Sequence, residues 1–204
     1  MRYNKKRFIY LISPPKIEKN FFKDLNEVLR QKKTSFFQLR LKKESFKKKF
    51  IIGRKIQKIC KKFDVKFLIN DDVQLAKKLN ADGCHLGQKD INIFEARKII
   101  GNKIIGITCH NSIKLAKIAI KNKADYLAFG AFNLSKTKKV KYKASISLLK
   151  KAQKITNTPI VVIGGINFKN YKNLLLNKAN FLAISGYIWK NKKLKPKNAI
   201  KKLI

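Results

Sequence analysis

The stretch Asn70-Asp71-Asp72-Val73-Gln74-Leu75-Ala76-Lys77-Lys78-Leu79-Asn80-Ala81-Asp82-Gly83-Cys84-His85-Leu86-Gly87-Gln88-Lys89-Asp90 decides how the chain is read. One short apolar run, Lys66 to Asn70, stops at Asp71-Asp72; the next, Gly83 to Leu86, stops at Gly87-Gln88-Lys89-Asp90. Only eleven of the 204 residues are Asp or Glu, and four of those (Asp71, Asp72, Asp82 and Asp90) fall in this window. A chain so short of acid that sets carboxylates straight after strand-length segments is expected to hold something positive there. Mg2+ is the expected ion, since it takes hard oxygen ligands, often one or two carboxylates, and completes its shell with water and substrate phosphates. The competing reading makes Asp72 a helix cap and Asp90 the start of a turn. Recurrence of the same layout elsewhere decides between them.

Working outward, strand-length apolar runs recur at Phe8 to Ser13, Ser35 to Leu41, Lys103 to Thr108, Tyr126 to Phe132, Pro159 to Ile163 and Phe181 to Ser185, making eight with the first two. Each is nearly continuously apolar, as parallel strands covered on both faces should be. Between them the apolar spacing changes to three and four. Examples are Phe21/Leu25/Val28/Leu29, Ile52/Ile56/Ile59/Cys60/Phe63, Ile93/Ala96/Ile100, Ile113/Ala116/Ile120, Leu148/Ala152/Ile155 and Tyr171/Leu174/Leu175. Such stripes are helices laid on a sheet. Eight strands alternating with helices predict an α/β fold, a (β/α)8 TIM barrel occupying residues 1–204 as a single compact domain. A doubly wound open sheet would want a glycine-rich dinucleotide turn after the first strand, and Ser13-Pro14-Pro15 is none.

Composition narrows the class further. The net charge of +39 invites a nucleic-acid reading, but it is nearly all lysine, spread from Lys5 to Lys202 over the polar faces of the apparent helices. Arginine forks and exposed aromatics, the usual means of gripping a polynucleotide, are scarce. Neither nucleic acid nor membrane is an expected partner: the N-terminal apolar run is five residues, too short for a span or a leader. Cys60, Cys84 and Cys109 have no metal-ligand spacing and read as buried free thiols suited to a reducing cytoplasm, the expected location. A homodimer is compatible with the sequence.

In a TIM barrel the active-site groups come from the C-terminal ends of the strands. The strand ends here offer Gln38/Arg40/Lys42, then Asn70-Asp71, His85, Gln88 and Asp90, Thr108 and His110, and Asn133-Leu134-Ser135-Lys136-Thr137-Lys138. Gly164-Gly165-Ile166 and Ile184-Ser185-Gly186 close the last two. Small residues after the seventh and eighth strands suit a phosphate cradle of backbone N–H groups with a helix N-terminus behind it. Across the rim, the basic cluster beside two carboxylates suits a more highly charged group such as pyrophosphate. The chemistry implied is transfer of a carbon group from pyrophosphate to a phosphorylated acceptor.

Five of these segments in this order resemble the thiamine-phosphate synthase family, over essentially the whole chain: Gln38/Arg40/Lys42, Asn70-Asp71, Gly87-Gln88-Lys89-Asp90, Ser135-Lys136-Thr137-Lys138 and Ile163-Gly164-Gly165-Ile166. The resemblance implies an enzyme that ionises an aminopyrimidine pyrophosphate and captures the resulting cation with the ring nitrogen of a thiazole phosphate. Carried over residue by residue, Asp71 and Asp90 hold Mg2+, and Arg40, Lys42, Asn70 and Lys138 hold pyrophosphate. Gln38 and Thr108 meet the pyrimidine or its leaving group. Ser135, Thr137, Gly165, Ile184 and Ser185 take the thiazole phosphate. Catalysis is then expected from Arg40, Lys42, Lys138 and Thr108 through positioning and charge stabilisation. His85 and His110 are expected to pack. Leu134-Ser135 stands where the family commonly has Pro-Thr, and Leu41 where Glu is frequent. Two rival readings are a thiazole tautomerase of the same fold, which has no need of the metal and pyrophosphate set, and a non-catalytic basic protein.

Overall fold

The computed structural model describes residues 7–133 and 141–203. Eight parallel strands close into a barrel: β1 (Ile9–Ile12), β2 (Thr34–Leu39), β3 (Lys66–Asn70), β4 (Gly83–Leu86), β5 (Ile104–His110), β6 (Tyr126–Gly130), β7 (Ile160–Ile163) and β8 (Phe181–Ile184). Closure is the pairing of β1 with β8, Leu11 opposite Ile184. Six helices follow the alternation: α1 (Phe21–Leu29), α2 (Phe46–Lys62), α3 (Val73–Leu79), α4 (Ile93–Ile100), α5 (Ile113–Lys121) and α6 (Ile146–Ile155). Three short ones complete it, α7 (Tyr171–Leu176), α8 (Gly186–Trp189) and α9 (Pro196–Lys201). The last two are too brief to leave a periodic stripe.

Helix starts are set by small polar residues. Ser45, Asp72, Asn92, Ser112 and Ser145 each accept a hydrogen bond from the backbone N–H three residues on, at 3.0–3.3 Å. The expected apolar faces are inward with one shift. On α6, Leu149 and Ala152 are buried while Ile155 is exposed, because capping at Ser145 turns Leu148 to the flank of the stripe. The core has two parts. A broad layer lies between sheet and helices, and a smaller group fills the barrel, with Tyr10, Phe36, Leu68, Tyr126 and Phe181 among it.

One device repeats at the N-terminal face. The residue just before each of β4, β6 and β8 (Asp82, Asp125 and Asn180) accepts with its side chain from the first interior N–H of the preceding strand. The donors are Phe67, Ile105 and Ile160, each at 2.8 Å. The same residues donate their own N–H groups to the carbonyls of those donors at 2.8–3.0 Å. Asp82, which belongs to the acid-rich window by sequence, lies at the end of the barrel opposite Asp71 and Asp90. Its carboxylate ties strands and pairs with Lys66. Asp125 also pairs with Arg97 at 2.5 Å. Asp125→Ala leaves the Ile105 N–H without its acceptor and removes the anion facing the Arg97 guanidinium, which keeps its backbone carbonyl partners, and is expected to cost about 1–3 kcal/mol in urea denaturation with unchanged m-value. Asp125→Asn, which keeps an acceptor, should cost about 1 kcal/mol.

Candidate active site

At the opposite rim, the ends of β3 and β4 bring Asp71 and Asp90 together. Asp71 takes a left-handed backbone (φ 64°), a region that Asp tolerates better than most residues. Its N–H donates to the carbonyl of His85 at 2.8 Å, locking it to the neighbouring strand. Asp90 accepts the Gly87 N–H at 2.7 Å, closing the turn after β4. The two carboxyls lie within hydrogen-bonding reach of each other. Burial pushes Asp71 up, but the Lys42 ammonium at 2.9 Å and the bond to Asp90 outweigh it and hold the group below the usual carboxylate range. Asp90 goes the other way: burial raises it, the Gly87 N–H opposes, and the neighbouring Asp71 adds to the rise. Two adjacent carboxyls with opposite shifts titrate as a pair, and a cation between them would favour the ionised form of both. Asp72, by contrast, caps α3 and pairs with Lys49 at 2.7 Å, a structural role.

These are hard oxygen donors, and among the described residues no third His, Cys, Asp or Glu joins them. That donor set fits Mg2+, which commonly takes two carboxylates and fills the rest of its shell from water and phosphate.

The other expected residues fall into three groups. Gln38 and Thr108 point into the barrel. Gln38 is 2% exposed and its Nε2 is buried with no partner among the described residues, an amide donor that a ligand acceptor would satisfy. Thr108 sits at a bulge in the β5–β6 pairing and bonds His85 Nε2 at 2.8 Å. Arg40 and Asn70 are half-buried at the ends of β2 and β3, next to Lys42 and Asp71 in the chain, and neither side chain has a hydrogen-bond partner among the described residues. Gly165, Ile184 and Ser185 end β7 and β8. Gly164 (φ 111°) and Gly165 (φ 57°) make a turn that excludes side chains, since a Cβ on Gly164 would lie 2.5 Å from that of Ala131. Ser185 immediately precedes α8 and donates to the Ser13 carbonyl at 3.1 Å. Ser135, Thr137 and Lys138 lie outside the described residues.

Sequence reasoning missed three supports. The Asn167 and Asn170 side-chain amides both donate to the Gly165 carbonyl, at 3.1 and 3.0 Å, pinning the glycine turn. Ser13 accepts the Arg40 N–H at 2.9 Å. His85, expected merely to pack, bonds Thr108 on one side and Tyr126 on the other, each at 2.8 Å. Single polar residues in loops carry no periodic signal; only the Asn content of the turn after β7 hinted at them. His110 does pack, stacked on Tyr142 at 4.2 Å.

An acid pair, a lysine and glycine turns gathered at one rim of a TIM barrel are the marks of a barrel enzyme. The family profile described as thiamine monophosphate synthase matches residues 9–188. A thiamine-phosphate synthase of Pelagibacter ubique (strain HTCC1062) is 68% identical over the full length of both chains. One from Nitrosomonas eutropha is 41% identical over 74% of this chain and 72% of its own. Among solved structures, a thiamine phosphate pyrophosphorylase from Pyrococcus furiosus superposes with a TM-score of 0.86 at 26% identity, covering 98% of this chain and 94% of its own. The chain belongs to the thiamine-phosphate synthase family and is a transferase of that type.

Burial pushes His85 down to about 4 from an ordinary 6.5, so the unfolded chain takes up this proton before the folded one does. Stability is therefore expected to fall as pH drops from about 6.5 to 4, with His85 contributing no more than about 3 kcal/mol of that loss. Urea titrations across this range should give a shallower decline for His85→Gln than for the natural chain.

Proposed function

We propose that this chain joins an aminopyrimidine carrying a methylene pyrophosphate to the ring nitrogen of a thiazole phosphate, releasing pyrophosphate and forming thiamine phosphate. The observation that carries the reading is the Asp71/Asp90 pair with Lys42 against it, set beside Arg40 and Asn70 at one rim. In the proposed sequence the methylene C–O bond breaks first and its electron pair leaves with pyrophosphate. The resulting cation is delocalised into the pyrimidine, and the thiazole nitrogen closes the new C–N bond with its own lone pair. Arg40, Lys42 and Lys138 take up charge as it accumulates on the leaving group. Asn70 orients it. The unpartnered Gln38 amide offers a donor to a pyrimidine ring nitrogen. Gly165 and Ser185, with Ser135, Thr137 and Ile184, hold the thiazole phosphate opposite. No covalent nucleophile is required, so the protein's contribution is placement and electrostatics. Asp71 and Asp90 would hold Mg2+, which when bound supplies positive charge for the departing pyrophosphate. We place this activity in the cytoplasm, where the three buried thiols remain reduced.

The test is product formation from the pyrimidine pyrophosphate, thiazole phosphate and Mg2+. Thiamine phosphate is expected when all three are present. Absence of product with thiazole phosphate still bound would favour a tautomerase. Asp71→Asn and Asp90→Asn should each lower kcat/KM by about a hundredfold or more, close to 3 kcal/mol of lost stabilisation. They should also abolish Mg2+-dependent pyrophosphate binding in calorimetry. Unchanged binding in both would remove the metal assignment.

A further inference from the structure

The turn after β7 is built from residues of the type least able to hold a shape alone. Gly164 and Gly165 both take positive φ, 111° and 57°, a region open to glycine, which also loses the most freedom on folding. Three consecutive carbonyls of this segment are held. The Ile163 carbonyl accepts the Phe132 N–H at 3.0 Å, and the Gly164 carbonyl accepts the Asn133 N–H at 3.2 Å. The Gly165 carbonyl accepts two side-chain amides, from Asn167 at 3.1 Å and from Asn170 at 3.0 Å. In a planar trans peptide the N–H points opposite to the C=O. Asn133 follows β6, and β7 lies between β6 and β8, so the Gly165 N–H is turned away from β6, to the side where β8 ends at Ile184-Ser185. The Ile166 N–H is likewise turned away from Asn167 and Asn170. Neither N–H has a hydrogen-bond acceptor among the described residues.

The two asparagine amides serve that carbonyl and not the helix behind it. Asn170 stands at the start of α7 but makes no side-chain cap bond, unlike the capping residues of α2 to α6. Its Oδ1 accepts the Asn167 N–H at 2.9 Å, and Asn167 Oδ1 accepts the Lys169 N–H at 2.8 Å. With both amide oxygens facing N–H groups, both NH2 groups face the Gly165 carbonyl; flipping either amide would set oxygen against oxygen. We propose that Asn167 and Asn170 are positioning residues for phosphate recognition, holding the Gly165–Ile166 peptide so that the Gly165 and Ile166 N–H groups donate to the phosphate of the thiazole substrate. Successive N–H groups of a turn form a concavity that suits an anion. The clamp keeps that concavity formed before the ligand arrives, so phosphate binding does not have to order two glycines. The amides are neutral and add no charge, which matches a monoester here and leaves pyrophosphate to the basic side of the rim. The identity of this ligand rests on the function proposed above; the orientation of the amides does not.

The test measures thiazole phosphate binding by calorimetry, and KM for each substrate, in Asn167→Ala and Asn170→Ala made separately, so that each variant keeps one amide on Gly165. Each is expected to weaken thiazole phosphate about five- to tenfold, the worth of one hydrogen bond, and the double variant more than either. KM for thiazole phosphate should rise to match, while KM for the pyrimidine pyrophosphate changes by less than about twofold. Asn170→Asp keeps an acceptor for the Asn167 N–H but sets a carboxylate against the Gly165 carbonyl, so it should not restore binding. Binding by Asn170→Asp as tight as that of the natural chain overturns the proposal. So do unchanged affinity in both alanine variants and equal losses for the two substrates, the result of a general loosening of the rim. If the natural chain binds thiazole phosphate but makes no thiamine phosphate, the proposed function fails while calorimetry still decides the clamp. A natural chain that binds no thiazole phosphate overturns both.

Discussion

Closure of the sheet is the constraint on which the rest depends. A parallel barrel has no free edge only if β8 returns to pair with β1, and each strand must then hold its register against both neighbours. The side-chain clamps from Asp82, Asp125 and Asn180 act at the N-terminal face, where three of the seams begin. They fix register locally, through groups that would otherwise need water. With register fixed at one face, the residues at the other follow. Asn70 pairs with His85 in the ladder, and the Asp71 N–H reaches the His85 carbonyl. The meeting of Asp71 and Asp90 is thus a consequence of the β3–β4 register, and a slip of one residue would separate them.

A division of labour among the carboxylates follows from this. In a chain of net charge +39 a carboxylate commonly finds a lysine or arginine partner. Asp82 and Asp72 illustrate that ordinary fate, each in one ion pair and one backbone bond. Asp71 and Asp90 differ because two carboxyls face one another with a single lysine paired to them, on Asp71. Their opposite shifts mark them as an interacting pair, unlike the other carboxylates of the chain. The lysine coat elsewhere does not compete, since most of it lies on the solvent faces of the helices.

The architecture was legible because its signals are periodic. The sequence boundaries of β3 and β4 coincide with the structure, and the other strand boundaries differ by one or two residues at the ends, where hydrogen bonding rather than hydrophobicity sets the limit. The α6 stripe was read one residue off because Leu148 and Leu149 are equally apolar and only the cap at Ser145 chooses between them. Helices α8 and α9 are single turns or little more, below the length at which a repeat can be recognised. At the rim, chemistry-bearing residues at strand ends could be picked out individually. What holds them could not. Asn167 and Asn170 act on Gly165 within their own turn and Ser13 acts on a strand end 27 residues away, and none of these contacts leaves a periodic trace in the sequence.

The interior shows why a polar chain survives in such a core. Tyr10, Tyr126 and His85 occupy space that apolar side chains could fill without any hydrogen-bonding requirement, and well-packed apolar replacements of buried polar groups are often no less stable. Retaining them also obliges Gly106 to forgo a side chain, which costs backbone entropy in a strand. Stability alone therefore gives no reason for this arrangement. A reason appears once the chain is followed to its end, because it terminates on a hydroxyl at the rim, across the barrel from its start at Tyr10. Its bonds fix the side chains of four strands, β1, β4, β5 and β6, against one another, so the Thr108 hydroxyl is held in place where a lone threonine would be free to turn. The barrel thus links its packed interior to the rim at the ends of β4 and β5. It does so through three short hydrogen bonds and no moving part.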